Sequence, residues 1–486
     1  MQAMNNSFKF QKKPFALVLL SLLIFLSNPK QSKEMGEFVK DIPLENLEFT
    51  FPVIEKTSLP REGELYSLNS NYFPLTELEM YFYIGEEKEF ATEVPLILFN
   101  VWKLGGTKDL PDSKFLERLE FLGASLSLRS GYEKSSISLS YLNRDEKEVF
   151  ALMKEWFSNP RITESNLKTI KNQIKESILR RNDSVPGIGM RKSKELFFGS
   201  RMQARTEEIA SLDAIQVSDL LKYHKKLISA KKVNFALSGS GKASSIQAFA
   251  KELLPSNSEL TVSSSEGIDL DSWSKEFQSL GKEITLIEKE TNQSMVLLLG
   301  TMPAHNHPDF YAIQLLNYII GGGGFNSYFM TEIRNNRGLA YSSSSSISFE
   351  KEYGAFYAYT LTKNESVGEV YKLMRELLSK DTISRIKQSE LERAQNAIIN
   401  QFVFLFQNNA KILSNQLRFD DHNMPKNYLE VYRGNISKVS LADLQRVGDK
   451  YFQENLLRTI IVGPKALMKQ LPKEKFTIKA PEEKIR

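Results

Sequence analysis

An internal duplication constrains the fold of this chain more than any other feature of its 486 residues. Two stretches, from about residue 47 to 254 and from about residue 284 to 471, repeat one order of strand and helix patterns. Matched landmarks, Gly106 with Gly323 and Gly239 with Gly463, recur at a period of about 220 residues. A chain of this length also exceeds what one compact core usually holds. We therefore expect two homologous halves.

Both halves place their strand-like patterns before their long amphipathic helices. In the first half, Leu78, Met80 and Phe82 put apolar side chains at every second position, and a β-rich run follows at 123–142. The second half repeats this order with a β-rich run at 338–361. Strands grouped in this way predict α+β halves in which a mainly antiparallel sheet carries helices on one face. We expect the two halves to face each other as a clamshell.

Segments without periodic apolar pattern set the boundaries of the halves. We assign residues 47–254 to the first half and residues 282–472 to the second. Residues 255–281 are rich in serine and acidic side chains and are interpreted as a linker. Residues 473–486 are expected to form a C-terminal tail.

The N-terminus resembles a secretory signal. Residues 15–26 are almost entirely apolar, and Lys12 and Lys13 precede them. About twelve residues fit the apolar region of a signal peptide and fall short of the ~20 that a membrane-spanning helix needs. We interpret residues 1–28 as a signal peptide, with an uncleaved anchor as the alternative, and residues 29–46 as a linker. The protein is therefore expected to be exported, to the periplasm or the cell envelope.

Composition excludes several classes of function. The chain has no cysteine, which rules out disulfides, a thiolate nucleophile and cysteine-bound metal. The formal net charge is only +5, and Lys9, Lys12 and Lys13 in the leader contribute much of it. A nucleic-acid binder would instead cluster its basic residues to displace counterions. We therefore expect no nucleic-acid partner, and membrane contact only through an uncleaved N-terminal segment.

The second half carries a sequence that resembles a known family. The run GGGGFNSYFMTEIRNNRGLAYS at 321–342, together with the segment from Glu352 to Phe356, resembles the C-terminal half of the pitrilysin/insulinase metallopeptidases, the inverzincins. The resemblance extends more weakly over most of residues 47–471. It implies a two-halved chamber that grips unfolded peptides.

The same resemblance points to a degenerate zinc motif. Active members carry an H-x-x-E-H helix in which two histidines bind zinc and the glutamate is the general base. Aligned on Gly106, the histidine positions fall on Ile97 and Val101, and the glutamate position falls on Asn100. Aliphatic side chains offer zinc no donor, and an amide cannot accept the proton. We expect a helix that packs Ile97 and Val101 into the core, no bound metal and no activity of the isolated chain.

Other candidate ligands do not replace the missing pair. Glu176 stands at the place of the family's third zinc ligand and is a candidate remnant ligand, with a solvated helical glutamate as the alternative. The histidines are scattered: His224 in a basic helix, His305 and His307 in a turn that we expect to be exposed, and His422 after a helix.

Two residues of the second half match the family's substrate-binding pair. The resemblance places Arg334 and Tyr341 where an arginine and a tyrosine hold the substrate main chain and polarise the scissile carbonyl. A guanidinium and a phenol are both suitable donors to such an oxygen. The alternative is an exposed helical arginine and a tyrosine packed at a sheet edge. The four glycines at 321–324 are either a substrate-contacting loop or a helix stop.

A strand of the first half matches the family's peptide-pairing strand. Ala124, Ser125 and Leu126 begin this segment, which could bind an extended peptide through main-chain hydrogen bonds. An ordinary interior strand is the alternative.

These features predict an exported, non-catalytic subunit that pairs with a zinc-bearing homologue, or with itself as a dimer, to bind and help cleave peptides. Zinc is then expected only in the partner subunit. The alternative is a structural scaffold or peptide-binding protein of the same fold with no proteolytic role.

Overall fold

The computed structural model describes residues 51–70, 72–85, 89–131, 133–254 and 268–485. The predicted signal peptide or anchor at 1–28 and the linker at 29–46 lie outside the described residues. From Ile54 onward the chain forms one compact unit. None of the helices in the described ranges combines the length and apolarity needed to span a membrane.

Two six-stranded sheets form the framework, one in each half. Their orders are β1-β2-β6-β3-β5-β4 and β12-β7-β11-β8-β10-β9. Neighbours are antiparallel except for β2 with β6 and for β7 with both β11 and β12. The prediction of two mainly antiparallel α+β halves is therefore confirmed. The strands are β1 (Glu55–Ser58), β2 (Glu64–Asn69), β3 (Leu75–Tyr83), β4 (Ser125–Arg129), β5 (Lys134–Leu142), β6 (Lys232–Gly239), β7 (Ile284–Glu288), β8 (Gln293–Met302), β9 (Ala340–Phe349), β10 (Gly354–Lys363), β11 (Arg458–Gly463) and β12 (Phe476–Lys479).

Helices follow and separate the strands in both halves. The α-helices are α1 (Val94–Gly105), α2 (Ser113–Phe121), α3 (Glu146–Ser158), α4 (Glu164–Arg180), α5 (Val185–Phe198), α6 (Ile209–Ala214), α7 (Val217–Ile228), α8 (Ala243–Leu253), α9 (Leu270–Ser279), α10 (Phe310–Asn317), α11 (Val367–Leu377), α12 (Lys380–Ser384), α13 (Gln388–Phe402), α14 (Asn409–Asp421), α15 (Tyr428–Lys438) and α16 (Leu441–Tyr451). Two π-helical turns, Tyr318–Gly322 and Met330–Asn336, lie in the second half.

A tryptophan pair lies in the core of the first half. Trp102 of α1 and Trp156 of α3 stack with their ring centroids 3.8 Å apart. Each indole N–H donates to the other residue's carbonyl oxygen, at 2.9 and 3.0 Å. Both rings are therefore buried with their polar atoms satisfied, which fixes α1 against α3.

The two halves exchange helices, a feature that the sequence did not predict. Helix α5 belongs to the first half, yet its Ile188 and Phe197 join the core on the second sheet with Leu297. Helix α14 of the second half places Leu413 and Leu417 on the first sheet. Helix α14 thus covers the face of the first sheet opposite to the helices of that half, and α5 packs together with α9 on one face of the second sheet.

Two predicted boundaries differ from the structure. Helix α9 lies inside the segment interpreted as a linker, because Trp273 and Phe277, four positions apart on one helix face, are both buried. The indole of Trp273 donates to the carbonyl oxygen of Phe197 at 2.6 Å. The expected C-terminal tail likewise contains β12, which pairs in parallel with β7. Both segments belong to the core of the second half.

Candidate functional site

Helix α1 carries Ile97, Asn100 and Val101, the positions that the family resemblance aligns with the zinc motif. Ile97 and Val101 are completely buried in the first-half core, as the sequence predicts. Asn100 is exposed, and its side-chain amide donates to the carbonyl oxygen of Leu96 at 2.8 Å. The helix ends at Gly106, whose φ of 67° favours glycine. The face that would hold a metal is therefore a hydrocarbon surface packed against other apolar side chains.

Glu176 does not complete a metal site. Its side chain is 66% exposed and lies 3.7 Å from the guanidinium of Arg180, one turn further along α4. The buried face of α4 is instead formed by Leu167, Ile170 and Ile178. Within the described ranges, no three histidine, aspartate or glutamate side chains are grouped to hold a metal ion. The residues present at the family's zinc position do not fit zinc, which needs nitrogen, oxygen or thiolate donors.

The expectation of an exposed turn at His305 was wrong. The His305 ring is buried and its Nδ1 lies 2.9 Å from Nδ1 of buried His422. Burial lowers the pKa of His305 to about 3 and that of His422 to about 4, with further lowering from neighbouring positive charge. Both rings are thus neutral, so that one donates and the other accepts. Aromatic rings around His305, including Phe310, explain why this turn is buried.

His224 also lies in a core rather than at a site. Its ring is buried and packs edge-on against Trp102, with the ring centroids 4.5 Å apart. Burial lowers its pKa to about 4. His307, in contrast, keeps about a third of its side chain exposed beside Asp309. His224 is the ring that packs against α1, and it does so edge-on to an indole. None of the four rings belongs to a group of three possible metal ligands among the described residues.

Arg334 lies on the second π-helical turn beside an aromatic ring. Its guanidinium carbon is 5.0 Å from the centroid of the Phe325 ring. In the part of the chain that the structure describes, no carboxylate lies within ion-pairing distance of Arg334. The neighbouring Arg337, by comparison, pairs with Glu332 and lies 3.9 Å from Glu369. Arg334 therefore keeps its N–H donors available for another acceptor.

Tyr341 is the second residue of β9, seven positions after Arg334. Its side chain is 86% exposed. Strand β9 is the last strand of the second sheet. Gly338, with a φ of 63°, forms the turn between the π-helical turn and this strand. An exposed phenol at a sheet edge is free to donate to a ligand, and it is not packed as the alternative interpretation required.

Strand β4 is an edge strand. Its pairing among the described strands is with β5 alone, and Ser125 lies opposite Ser140. Ala124 and Leu126 are buried, whereas Ser125 is exposed. A cavity of about 260 Å³ borders the strand and is lined in part by Ser125 and Ser127. This position agrees with the expected edge strand and not with an interior one.

Phe325 is a candidate functional residue that the sequence analysis missed. Its ring is 67% exposed although phenylalanine is ordinarily buried. Its position directly after four glycines is the sequence feature that could have identified it. A large aromatic side chain that follows a helix stop has no helix face through which to reach the core.

Comparisons with known proteins agree with this geometry. The family model described as Insulinase (Peptidase family M16) matches residues 101–187, and the model described as Peptidase M16 inactive domain matches residues 214–398. Together the two models cover more than half of the chain.

Individual relatives point the same way. The "Non-peptidase homolog YmxG" of Helicobacter pylori is 24% identical over 374 residues, which is 74% of this chain and 82% of that protein. An "Uncharacterized zinc protease" of Rickettsia felis is 27% identical over 38% of this chain and 44% of its own length. A solved peptidase M16 inactive domain from Pseudomonas fluorescens has the same fold, with a TM-score of 0.72 at 20% identity over 85% of this chain and 98% of that one.

The duplicated halves, the altered zinc helix and these matches support one conclusion. The chain belongs to the insulinase (M16) family of peptidases, as a peptidase-like member that lacks the family's zinc motif.

Proposed function

We propose that this chain is an exported, non-catalytic subunit that pairs with a zinc-bearing homologue and helps to hold the peptide that the homologue cleaves. The observation that carries the proposal is a contrast between the halves. Ile97 and Val101 are buried hydrocarbon where the zinc ligands would stand, whereas Arg334 has no ion-pair partner among the described residues and Tyr341 is exposed. The chain thus lacks the catalytic groups and keeps the substrate-binding ones.

The geometry suggests a division of labour between the two subunits. An extended peptide would bind along an edge such as β4 by main-chain hydrogen bonds. The guanidinium of Arg334 and the phenol of Tyr341 would donate to peptide carbonyl oxygens, which gain negative charge during hydrolysis. The partner would provide zinc and the general base, so that neither subunit alone holds the complete set.

The name of one relative favours this proposal over an independent enzyme. The Helicobacter pylori protein is described as a non-peptidase homologue. A structural scaffold or a homodimeric peptide-binding protein is the second candidate. It is favoured by the exchange of helices α5 and α14, which interlocks the halves without requiring a substrate.

Reconstitution tests the proposal. The full chain is purified alone and together with a zinc-bearing homologue from the same organism, and cleavage of an internally quenched fluorogenic peptide is followed. We expect no cleavage by this chain alone and chelator-sensitive cleavage by the pair. Chelator-sensitive cleavage by the isolated chain would overturn the proposal. Normal cleavage by a pair that carries both Arg334→Ala and Tyr341→Phe would favour the scaffold.

A further inference from the structure

The glycine-rich segment before Arg334 is anchored to the second sheet. Gly321 lies so close to β9 that a Cβ atom there would stand 2.7 Å from the backbone nitrogen of Ser345. On the other side, the hydroxyl of Ser327 donates to the carbonyl oxygen of Gly324 at 2.7 Å. The same hydroxyl accepts from the backbone N–H of Met330 at 3.4 Å. Phe325 therefore projects from a short segment that is fixed at both ends.

The exposed ring of Phe325 lies against the guanidinium of Arg334. The separation of 5.0 Å between the guanidinium carbon and the ring centroid is within the range of a cation–π contact. The ring remains 67% exposed, so it does not contribute a fully buried side chain to the core. Its one recorded ring contact within the described ranges is the one with Arg334. Packing of the fold alone does not explain an anchored aromatic ring at this position.

A ring is a suitable support for an arginine that has to bind another group. Guanidinium is planar, and stacking on an aromatic face leaves the N–H groups at its edge free to donate. An ion pair with a carboxylate would instead occupy those donors, as Glu332 does for Arg337. The contact with the Phe325 ring thus holds the guanidinium of Arg334 without engaging its donors in an ion pair.

We propose that Phe325 is a positioning residue, which orients the guanidinium of Arg334 toward the main-chain carbonyls of a bound peptide. The inference rests on the proposed function of Arg334 and adds a role for the glycine-rich segment. That segment fixes the ring, the ring fixes the guanidinium, and the peptide meets an arginine that is already oriented. Less side-chain freedom is then lost on binding.

The first test needs no partner. The purified full chain is treated with phenylglyoxal, which modifies accessible guanidinium groups, and modification of Arg334 and Arg337 is followed by mass spectrometry. We expect Phe325→Ala to increase the rate at Arg334 about 2- to 5-fold, as expected from the loss of an exposed cation–π contact. Phe325→Tyr should leave the rate unchanged, and Arg337 serves as the internal control. Equal rates at Arg334 in all three proteins would overturn the inference.

The second test separates positioning from a direct contact of the ring with peptide. In the reconstituted pair, kcat and KM for the quenched peptide are compared in Phe325→Ala, Arg334→Ala and the double variant. We expect Phe325→Ala to lower kcat/KM about 2- to 5-fold when Arg334 is present and to have no further effect when it is absent. Phe325→Tyr should restore the wild-type value.

The outcomes of the second test are distinguishable. If Phe325→Ala lowers kcat/KM by the same factor in the Arg334→Ala background as in the wild type, the ring acts independently of Arg334. The proposed positioning role is then overturned. If Arg334→Ala alone leaves hydrolysis unchanged, the proposed function fails, and the phenylglyoxal rates still decide whether the ring holds the guanidinium.

Discussion

Helix α1 and its counterpart in the second half occupy the same place in the duplicated fold but have different surfaces. In the first half, one continuous α-helix runs to the glycine landmark and buries Ile97 and Val101. In the second half, α10 continues as the π-helical turn Tyr318–Gly322, and a further π-helical turn carries Arg334. Such turns are rare and are often found at functional sites. In the first half this segment is a regular helix buried in the core, whereas in the second half it is irregular and carries Arg334.

The comparison teaches that this fold can carry aliphatic side chains at the positions aligned with the zinc motif. Replacing ligands by aliphatic side chains removes the need to satisfy buried polar groups and adds apolar burial. The second half has the opposite character, because a guanidinium without an ion-pair partner among the described residues and an exposed phenol contribute little to stability. The proposed peptide-binding role would account for their presence.

The largest expected effect comes from an attempt to make the first half resemble an active relative. The triple variant Ile97→His, Asn100→Glu, Val101→His should lower the free energy of unfolding by about 4 kcal/mol, because two imidazoles enter an apolar core. Urea unfolding measures this change. In the control variant, Ile97→Val with Val101→Ile, the free energy of unfolding should fall by only about 1 kcal/mol. A triple variant as stable as the wild type would contradict the burial of these two positions in the core.

The second prediction concerns the buried pair His305 and His422. Their pKa values of about 3 and 4 are lowered from the ordinary value of 6.5, so the unfolded chain binds more protons than the folded one at acidic pH. The two neutral rings therefore cost no stability above pH 6.5, and the free energy of unfolding falls as the pH decreases toward 4.

Unfolding followed by fluorescence between pH 7.5 and 4.5 measures this slope. The double variant His305→Gln, His422→Gln should have a shallower slope, and His307→Gln, whose side chain is partly exposed, should change it little. An unchanged slope in the double variant would show that other groups cause the acid sensitivity.

The third prediction compares Arg334, on the second π-helical turn, with Arg337, directly after that turn. In the reconstituted pair, Arg334→Ala should lower kcat/KM about 10-fold or more, because it removes charge-assisted donors to the peptide. Arg337→Ala should change kcat/KM less than about 2-fold, because that side chain is engaged with Glu332 at the surface. If both variants lower kcat/KM equally, the loss comes from a general disturbance of this turn and not from a specific role of Arg334.

The smallest effect is expected for Glu176. Because its carboxylate is exposed and only loosely paired with Arg180, Glu176→Gln should change the free energy of unfolding by less than about 0.5 kcal/mol. Addition of zinc should not distinguish the variant from the wild type. Zinc-dependent stabilisation that disappears in Glu176→Gln would identify this residue as a remaining ligand.

Sequence patterns predicted the parts of the fold that depend on periodicity. The grouped strands follow from apolar residues at strand spacing, and the duplication follows from landmarks that recur about 220 residues apart. The exchange of α5 and α14 did not, because an apolar helix face does not specify which sheet it will cover. Helix α9 was missed because serine and acidic residues around Trp273 concealed a short amphipathic helix.

The candidate site was predictable only where single positions match the family. Arg334 and Tyr341 were found in this way, and the structure adds the exposure of Tyr341 and the contact of Arg334 with Phe325. Burial of His305 depends on aromatic rings that come from distant parts of the chain, such as Phe419, so no local pattern could reveal it. Phe325 was missed because its contact with Arg334 requires the turn between them.

The most direct test of the division between the two halves is cleavage by the reconstituted pair. Peptide hydrolysis is measured for this chain alone, for the zinc-bearing homologue alone and for their mixture, each with wild-type chain or Arg334→Ala. The account predicts full activity only in the wild-type mixture and its loss on chelation of the homologue's zinc. Equal activity of the homologue with and without this chain would contradict it.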